Sequence, residues 1–170
     1  MGTGALLIST AAMVLAAIPF HPPIAHLPIG LAFLLPVFTL SIAFSITRTW
    51  LPRAAWLLVV MVSALATGTA LFAKETGEDE ERRLNDPSLQ AAIHEHEDAA
   101  EWLVISSVAL TLLAIGVSFV KNAKAFSAAS FAVGVLMFWP MSTAMVTGHH
   151  GGVLVFNHGA GQMKAGLPSP

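Results

Sequence analysis

Long apolar stretches without a formal charge dominate the pattern of hydrophobic and polar positions along this chain. Four of them approach the roughly 20 residues that an α-helix needs to cross the hydrocarbon core of a bilayer. They cover residues 29–47, 54–73, 102–120 and 125–147. Because a backbone in lipid must satisfy its own hydrogen bonds, each stretch is predicted to be a membrane-spanning helix. The pattern therefore predicts an all-α fold, an integral membrane four-helix bundle.

A fifth apolar run, residues 4–20, is shorter and precedes the first span. No lysine or arginine comes before it, whereas a secretory signal peptide begins with a basic region. We expect residues 1–20 to form an additional hydrophobic helix that is retained, either as a short span or on the membrane surface. The four-helix domain then covers residues 21–161, and residues 162–170 form a C-terminal tail.

The composition narrows the class of function. Hydrophobic residues make up 55% of the 170 positions and charged residues 11%, against about 25% charged residues in a soluble domain. The chain has no cysteine, which excludes disulfides, thiolate metal sites, iron–sulfur clusters and covalent c-type haem. The signatures of zinc proteases, α/β-hydrolases and P-loop NTPases are also absent from the sequence. We therefore expect an electron-transfer subunit rather than a stand-alone enzyme.

The charges are distributed unevenly between the two sides of the predicted bundle. The short loops after the first and third spans carry Arg48, Arg53, Lys121 and Lys124 and no acid, while all ten acidic residues lie between positions 75 and 101. Positive residues in short loops mark the cytoplasmic side. The pattern predicts a multi-pass protein of the bacterial inner membrane, with its acidic loop and C-terminus in the periplasm. An acidic outer face argues against nucleic-acid binding.

All seven histidines fall on the predicted outer side. They precede the first span (His21, His26), precede the third (His94, His96) or follow the fourth (His149, His150, His158). Neutral imidazole is the commonest protein metal ligand and carries protons near neutral pH. The sequence therefore predicts a histidine site where the outer ends of three helices meet.

Local sequence refines the expected helix ends. In "HPPIAHLP", proline at the first helical turn predicts that the span opens near Pro28 and places His26 at the mouth of the bundle. In "NDPSLQ", Asp86 is a suitable N-cap and Pro87 a suitable first helical residue. Pro140 is expected to kink the fourth span, because proline cannot donate a backbone hydrogen bond.

The face below His96 favours a built site. His96, Ala100 and Leu103 share one side of the third helix, and small residues below an imidazole leave room for a flat cofactor or for a neighbouring helix. We therefore expect His26, His96 and His149 to face a common cavity near the outer interface.

Three motifs carry a resemblance to a known family. "HPPIAHLPIGL" resembles the HP-x-x-VHFPIAL opening of a widespread family of small bacterial predicted membrane proteins, classed as a domain of unknown function. "HEHEDAA" and the closing "GHHGGVLVFNHG" resemble its later landmarks, in the same order. The resemblance implies a four-helix membrane bundle and no settled activity. Its pattern falls on His21, His26, His96, His149 and His158, and the doubled "HEH" leaves His94 as an alternative to His96.

Three functions stay open from the sequence. The first is a b-type cytochrome that transfers electrons, with haem b on His26 and His96, His149 as the first substitute, and His158 and His21 as further candidates. The second is a non-haem copper, zinc or iron site built from His26, His96, His149 and His94. The third is a structural subunit of a larger membrane complex. The expected partners are the lipid bilayer, other membrane or periplasmic electron-transfer subunits, and a quinol.

Overall fold

The computed structural model describes residues 21–84 and 87–160, and helices account for nearly all of them. The α-helices are α1 (His21–Thr47), α2 (Trp56–Leu84), α3 (Gln90–Ser118), α4 (Ala123–Leu136) and α5 (Phe138–Phe156), and a short 3₁₀ helix, Arg53–Ala55, leads into α2. Since α4 and α5 together make one span, the described chain has four helical segments long and apolar enough to cross a membrane. The predicted four-helix membrane bundle is confirmed. The expected N-terminal helix (residues 1–20) and the C-terminal tail (162–170) lie outside the described residues.

The helices form a closed ring of antiparallel neighbours. Helix α1 packs on α2, α2 on α3, α3 on α5, and both α4 and α5 on α1. Helices α1 and α3 are thus diagonal partners across the bundle axis. The starts of α1 and α3 and the end of α5 share one end of the bundle, which we call the histidine end. The two loops at residues 48–55 and 119–122 form the opposite end, the basic end.

Two of the expected helix starts need correction. Helix α1 begins at His21, with two prolines in its first turn, so Pro28 lies inside the helix rather than at its start. Because the first N–H groups of a helix have no intrahelical acceptor, prolines are well accommodated in that turn. Helix α3 begins at Gln90, and Pro87 lies in the turn before it. The predicted cap, Asp86, lies outside the described residues.

The expected disturbance at Pro140 is confirmed. The fourth span is interrupted at Met137, between α4 and α5. Pro140 has no N–H to donate to the carbonyl of Leu136, so the ladder of backbone hydrogen bonds loses one rung there. The break lets α4 pack against α1 at the basic end while α5 packs against α3 at the histidine end.

The larger part of the core fills the half of the bundle next to the basic end. Trp56 is 2% exposed there, and its indole Nε1 donates to the carbonyl of Ala114 at 2.9 Å. On α1 the inward positions include Ala32, Thr39 and Ala43, since small residues let membrane helices approach closely. The larger apolar side chains mostly face outward to lipid, which is the reverse of a soluble bundle.

Candidate histidine site

Two imidazoles meet across the bundle axis at the histidine end. His21 opens α1 and His96 lies in the second turn of α3, and their ring centroids are 6.1 Å apart with an interplanar angle of 83°. Both side chains are half-buried. Since α1 and α3 are diagonal partners, the two rings approach each other from opposite walls of the bundle.

A backbone carbonyl orients each ring. The Nδ1 atom of His21 lies 2.9 Å from the carbonyl oxygen of Ala73 on α2, and that of His96 lies 3.1 Å from the carbonyl oxygen of Thr147 on α5. A carbonyl only accepts, so in this arrangement Nδ1 carries the proton and donates it. The neutral tautomer that results leaves the Nε2 lone pair of each ring available to a ligand. Helices α2 and α5 thus position the imidazoles that α1 and α3 provide.

Thr76 adds a second contact to His21. Its hydroxyl oxygen lies 3.3 Å from His21 Nδ1 and itself donates to the carbonyl of Ala73 at 2.9 Å. The hydroxyl proton is therefore directed at the carbonyl, and the oxygen is free to accept from the imidazole. This small network fixes the rotation of the His21 ring.

Glycines provide the space into which the two rings fit. A Cβ atom built on Gly77 of α2 would lie 3.0 Å from Cε1 of His21, and one built on Gly151 of α5 would lie 3.3 Å from Cε1 of His96. Both distances are shorter than ordinary van der Waals contact. A side chain at either position would displace the ring beside it. Glycine is thus required at these two positions because an imidazole ring packs close to the backbone, and not because the backbone adopts an unusual conformation.

A third histidine borders the pair. His150 on α5 is close enough to His96 to interact with it electrostatically, and its Nδ1 lies 3.5 Å from a carboxylate oxygen of Glu95. Its ring also contacts that of His149, at 5.7 Å between centroids. His150 was not among the candidate residues from the sequence, because the family-like pattern falls on its neighbour. Helical position decides between the two: His150 is half-buried and His149 is exposed.

The structure does not bring the other predicted residues to the pair. His26, His149 and His158 are exposed, and the side chain of His94 is 79% exposed and lies 3.6 Å from Glu97. The expected meeting of His26 and His149 with His96 is therefore corrected. The partner across from His96 is His21.

The reason for this correction is helical geometry. Because α1 already begins at His21, residue 26 is five positions further along the helix. Five residues correspond to about 140° of rotation at 3.6 residues per turn. When His21 points at the axis, His26 must point away from it.

Carboxyl groups form the rim of the histidine end between α2 and α3. The carboxyl groups of Glu81 and Glu97 lie close enough to interact. Arg82 balances the neighbouring acids through Asp79 at 2.9 Å and Glu78 at 3.5 Å. The rim as a whole is acidic and solvent-accessible.

The comparison with known families agrees with this architecture. A family model described as "Predicted membrane protein (DUF2231)" matches residues 17–164. The chain belongs to this family. The match covers all four spans and every histidine. No curated protein and no solved structure matches the chain.

Proposed function

We propose that this membrane protein binds haem b between His21 and His96 and transfers electrons at the histidine end. The observation that supports it is the pair of imidazoles, which come from opposite walls and have Nδ1 bound to a carbonyl. A b-type haem would be held without a covalent link, through nitrogens such as those of His21 and His96. The donor set present in the chain fits that need.

The separation of the rings also fits. The observed separation is 6.1 Å. The two rings are therefore close enough that both would contact one bound group.

The surroundings of the pair suit an apolar macrocycle. About two turns below His96 and three turns below His21, a small buried cluster consists of Ala32, Leu103 and Ala144, with Ile29 packed against it. Alanines on two of the helices keep side-chain volume low beside the axis. Haem supplies a one-electron couple when bound, and an apolar slot is among the features that set its potential.

The chain's own residues would orient and tune the ligands. The carbonyls of Ala73 and Thr147 hold each ring at Nδ1, and such a bond raises the basicity of the opposite nitrogen. It also fixes the direction of the Nε2 lone pair. Gly77 and Gly151 let both rings lie close to the helices that orient them.

A non-haem copper, zinc or iron site is the second candidate, and His150 is the observation in its favour. It lies near His96 and has the carboxylate of Glu95 beside it. Zinc takes three or four protein ligands, and within residues 21–84 and 87–160 no group of three or more histidine or acidic side chains is placed to hold an ion. A metal held by three side chains would need His150 to move towards the two rings that already meet.

The proposed orientation follows from the charges of the basic end. The basic residues Arg48, Arg53, Lys121 and Lys124 lie in or next to the short loops there, and positive residues near short loops favour the cytoplasmic side. The proposal therefore has the basic end in the cytoplasm and the histidine end in the periplasm of a bacterial inner membrane. A haem near the periplasmic surface suits exchange with a quinol or with a periplasmic or membrane electron-transfer subunit. The acidic rim would attract a basic partner at low ionic strength.

A reduced-minus-oxidised absorption spectrum of the purified protein tests the proposal. We expect a b-type spectrum with about one haem per chain, extractable because no cysteine links it. His21→Ala and His96→Ala should each abolish the spectrum, while the matched variant His94→Ala, at an exposed position, should retain it. His26→Ala should also retain it, which separates the structural pair from the pair expected from the sequence.

Two further measurements keep the result interpretable. Circular dichroism shows whether each variant is folded, and His96→Met tests ligation directly, because methionine still binds haem iron but raises its potential. A wild-type protein that holds stoichiometric copper or zinc and no haem would establish the second candidate. A protein that holds neither would be a structural subunit, and the haem proposal would be wrong.

A further inference from the structure

An open cavity of about 1000 Å³ lies at the basic end, between the loop after α1 and the start of α4. It is far from the histidine pair and has no part in the proposed haem site. Among its lining residues, Arg53 and Lys124 are the charged ones, and Trp50, Leu51 and Phe126 provide apolar surface. The cavity therefore combines positive charge with an apolar wall.

The position of Lys124 is unfavourable unless an anion is near. It lies in the first turn of α4, which contains no acidic residue. The amino-terminal end of a helix carries partial positive charge, so a lysine there is repelled while an anion is stabilised. Asn122 caps the helix by accepting from the N–H of Ala125 at 3.0 Å. The N–H groups of Ala123 and Lys124 have no acceptor within the helix and suit an anion.

Arg53 is held in place on the other side of the cavity. Its guanidinium donates to the carbonyls of Val120 and Lys121 and lies over the ring of Phe126, 4.3 Å from its centroid. These contacts leave the guanidinium charge uncompensated, because carbonyls and an aromatic ring carry no net charge. The cavity thus has one cation fixed by the bundle and a second on the helix terminus.

The apolar wall indicates which anion fits. Trp50 is 71% exposed and packs edge-on against Phe44 at 5.5 Å between centroids. Exposed tryptophans at the ends of spans mark the level of the lipid headgroups. A cavity at that level, lined by the end of α1 and the start of α4, is within reach of headgroups whose acyl chains lie in the bilayer.

We propose that this cavity binds the phosphate headgroup of an anionic phospholipid, with Arg53 and Lys124 as its cationic contacts and Trp50 beside the lipid. Basic pockets between membrane helices bind such headgroups, and each lysine or arginine near the surface adds about fivefold to the affinity for anionic lipid. The apolar wall favours the lipid over free phosphate. Binding at this end would fasten α1 to α4, the two helices whose loops form the cavity.

Quenching of Trp50 fluorescence by brominated lipids tests the proposal. The full chain is reconstituted in phosphatidylcholine vesicles with increasing brominated phosphatidylglycerol, and subtraction of the Trp50→Phe signal isolates Trp50. We expect brominated phosphatidylglycerol to quench Trp50 at a several-fold lower mole fraction than brominated phosphatidylcholine does. Lys124→Gln should reduce that preference by about fivefold.

Lys121→Gln is the matched control, since Lys121 lies three residues before Lys124, in the loop that leads into α4, but does not line the cavity. It should retain most of the preference. Equal losses in the two lysine variants would mean diffuse attraction to a basic surface and would overturn the site. Equal quenching by both lipids in the wild type would also overturn it. So would relief of the quenching by millimolar inorganic phosphate, which would assign the cavity to free phosphate.

Discussion

Replacing Gly77 with alanine perturbs the His21 ring without touching its chemistry. The new Cβ would lie 3.0 Å from Cε1 and 3.2 Å from Nδ1 of His21, so the ring must move by about 0.5 Å to restore ordinary contact. That movement stretches the 2.9 Å contact between Nδ1 and the Ala73 carbonyl towards the limit of a hydrogen bond. Loss of one such bond costs about 0.5–1.5 kcal/mol.

Helix propensity acts in the opposite direction, and a matched variant separates the two effects. Glycine in a helix is about 1 kcal/mol less favourable than alanine. Gly68, on the same helix α2, has nothing within 4 Å of its added Cβ. Gly68→Ala should therefore raise the free energy of unfolding by up to about 1 kcal/mol. The free energy of unfolding of Gly77→Ala should be about 1 kcal/mol lower than that of Gly68→Ala, because the lost hydrogen bond offsets the gain in helix propensity.

Denaturant titration in detergent micelles measures this difference, and the ring nitrogen chemical shifts of His21 report the hydrogen bond itself. If Gly77→Ala were as stable as Gly68→Ala and left the shifts of His21 unchanged, the ring would not be held against α2. The oriented imidazole pair, and with it the basis of the proposed ligand set, would then be refuted.

Two other predictions concern packing and orientation. Gly134→Ala should lower the free energy of unfolding by about 1–3 kcal/mol, since its Cβ would lie 2.6 Å from Cδ2 of Leu40. Gly116→Ala is the control and should not lower it, because its Cβ would have nothing within 4 Å. Equal stabilities of the two variants in denaturant would contradict the α1–α4 packing. Asp79→Cys should react with an impermeant thiol reagent in intact cells and Lys121→Cys should not, because the positive loops are expected inside; the reverse labelling would invert the proposed orientation.

The membrane spans were predictable because about 20 apolar residues without a charge are long enough for a helix to cross the bilayer. A backbone in lipid must also form its hydrogen bonds within its own segment, which a helix does. The helix ends were not, since hydropathy reports contact with lipid and not the end of a helix. Helix α2 continues to Leu84, well beyond the apolar stretch that ends at residue 73. Pairs such as Glu78 with Arg82 at i, i+4 support such a helical extension in water.

The end of the bundle that carries the histidines was also predictable, from the order of spans and loops alone. The expectation that His26, rather than His21, lies opposite His96 was wrong, because the start of α1 was placed too late. The structure shows the stripe that decides between them: the buried positions Pro28, Ala32, Leu35 and Thr39 recur every three or four residues, and this stripe extends back to His21 and not to His26.

The glycine that receives His21 was missed for a different reason. Gly77 lies in an acidic stretch that gives no hint of close packing, and its role depends on a ring from a helix more than 50 residues away in sequence. Contacts of this kind depend on the register between α1 and α2, which no periodicity within one helix determines. Gly151 was easier to single out, because it lies among the histidines of the closing motif.

Buried hydroxyl groups on the inner faces of the helices offer a final test of the register between the spans. Thr39 Oγ1 is buried and has no hydrogen-bond partner within the described part of the chain, whereas Thr67 and Thr111 bond to each other at 2.9 Å. An unsatisfied buried hydroxyl costs about 1–3 kcal/mol, while removing one partner of a bonded pair leaves the other unsatisfied.

Thr39→Val should therefore raise the free energy of unfolding by about 1 kcal/mol or more, and Thr111→Val should lower it by a similar amount. Both substitutions replace a hydroxyl by a methyl of nearly the same size, so packing changes little and the hydrogen bond decides the sign. Denaturant titration of the two variants in the same micelles makes the comparison. A loss of stability in Thr39→Val would mean that its hydroxyl is bonded in the membrane, to a carbonyl of its own helix or to another helix, and the prediction would be wrong.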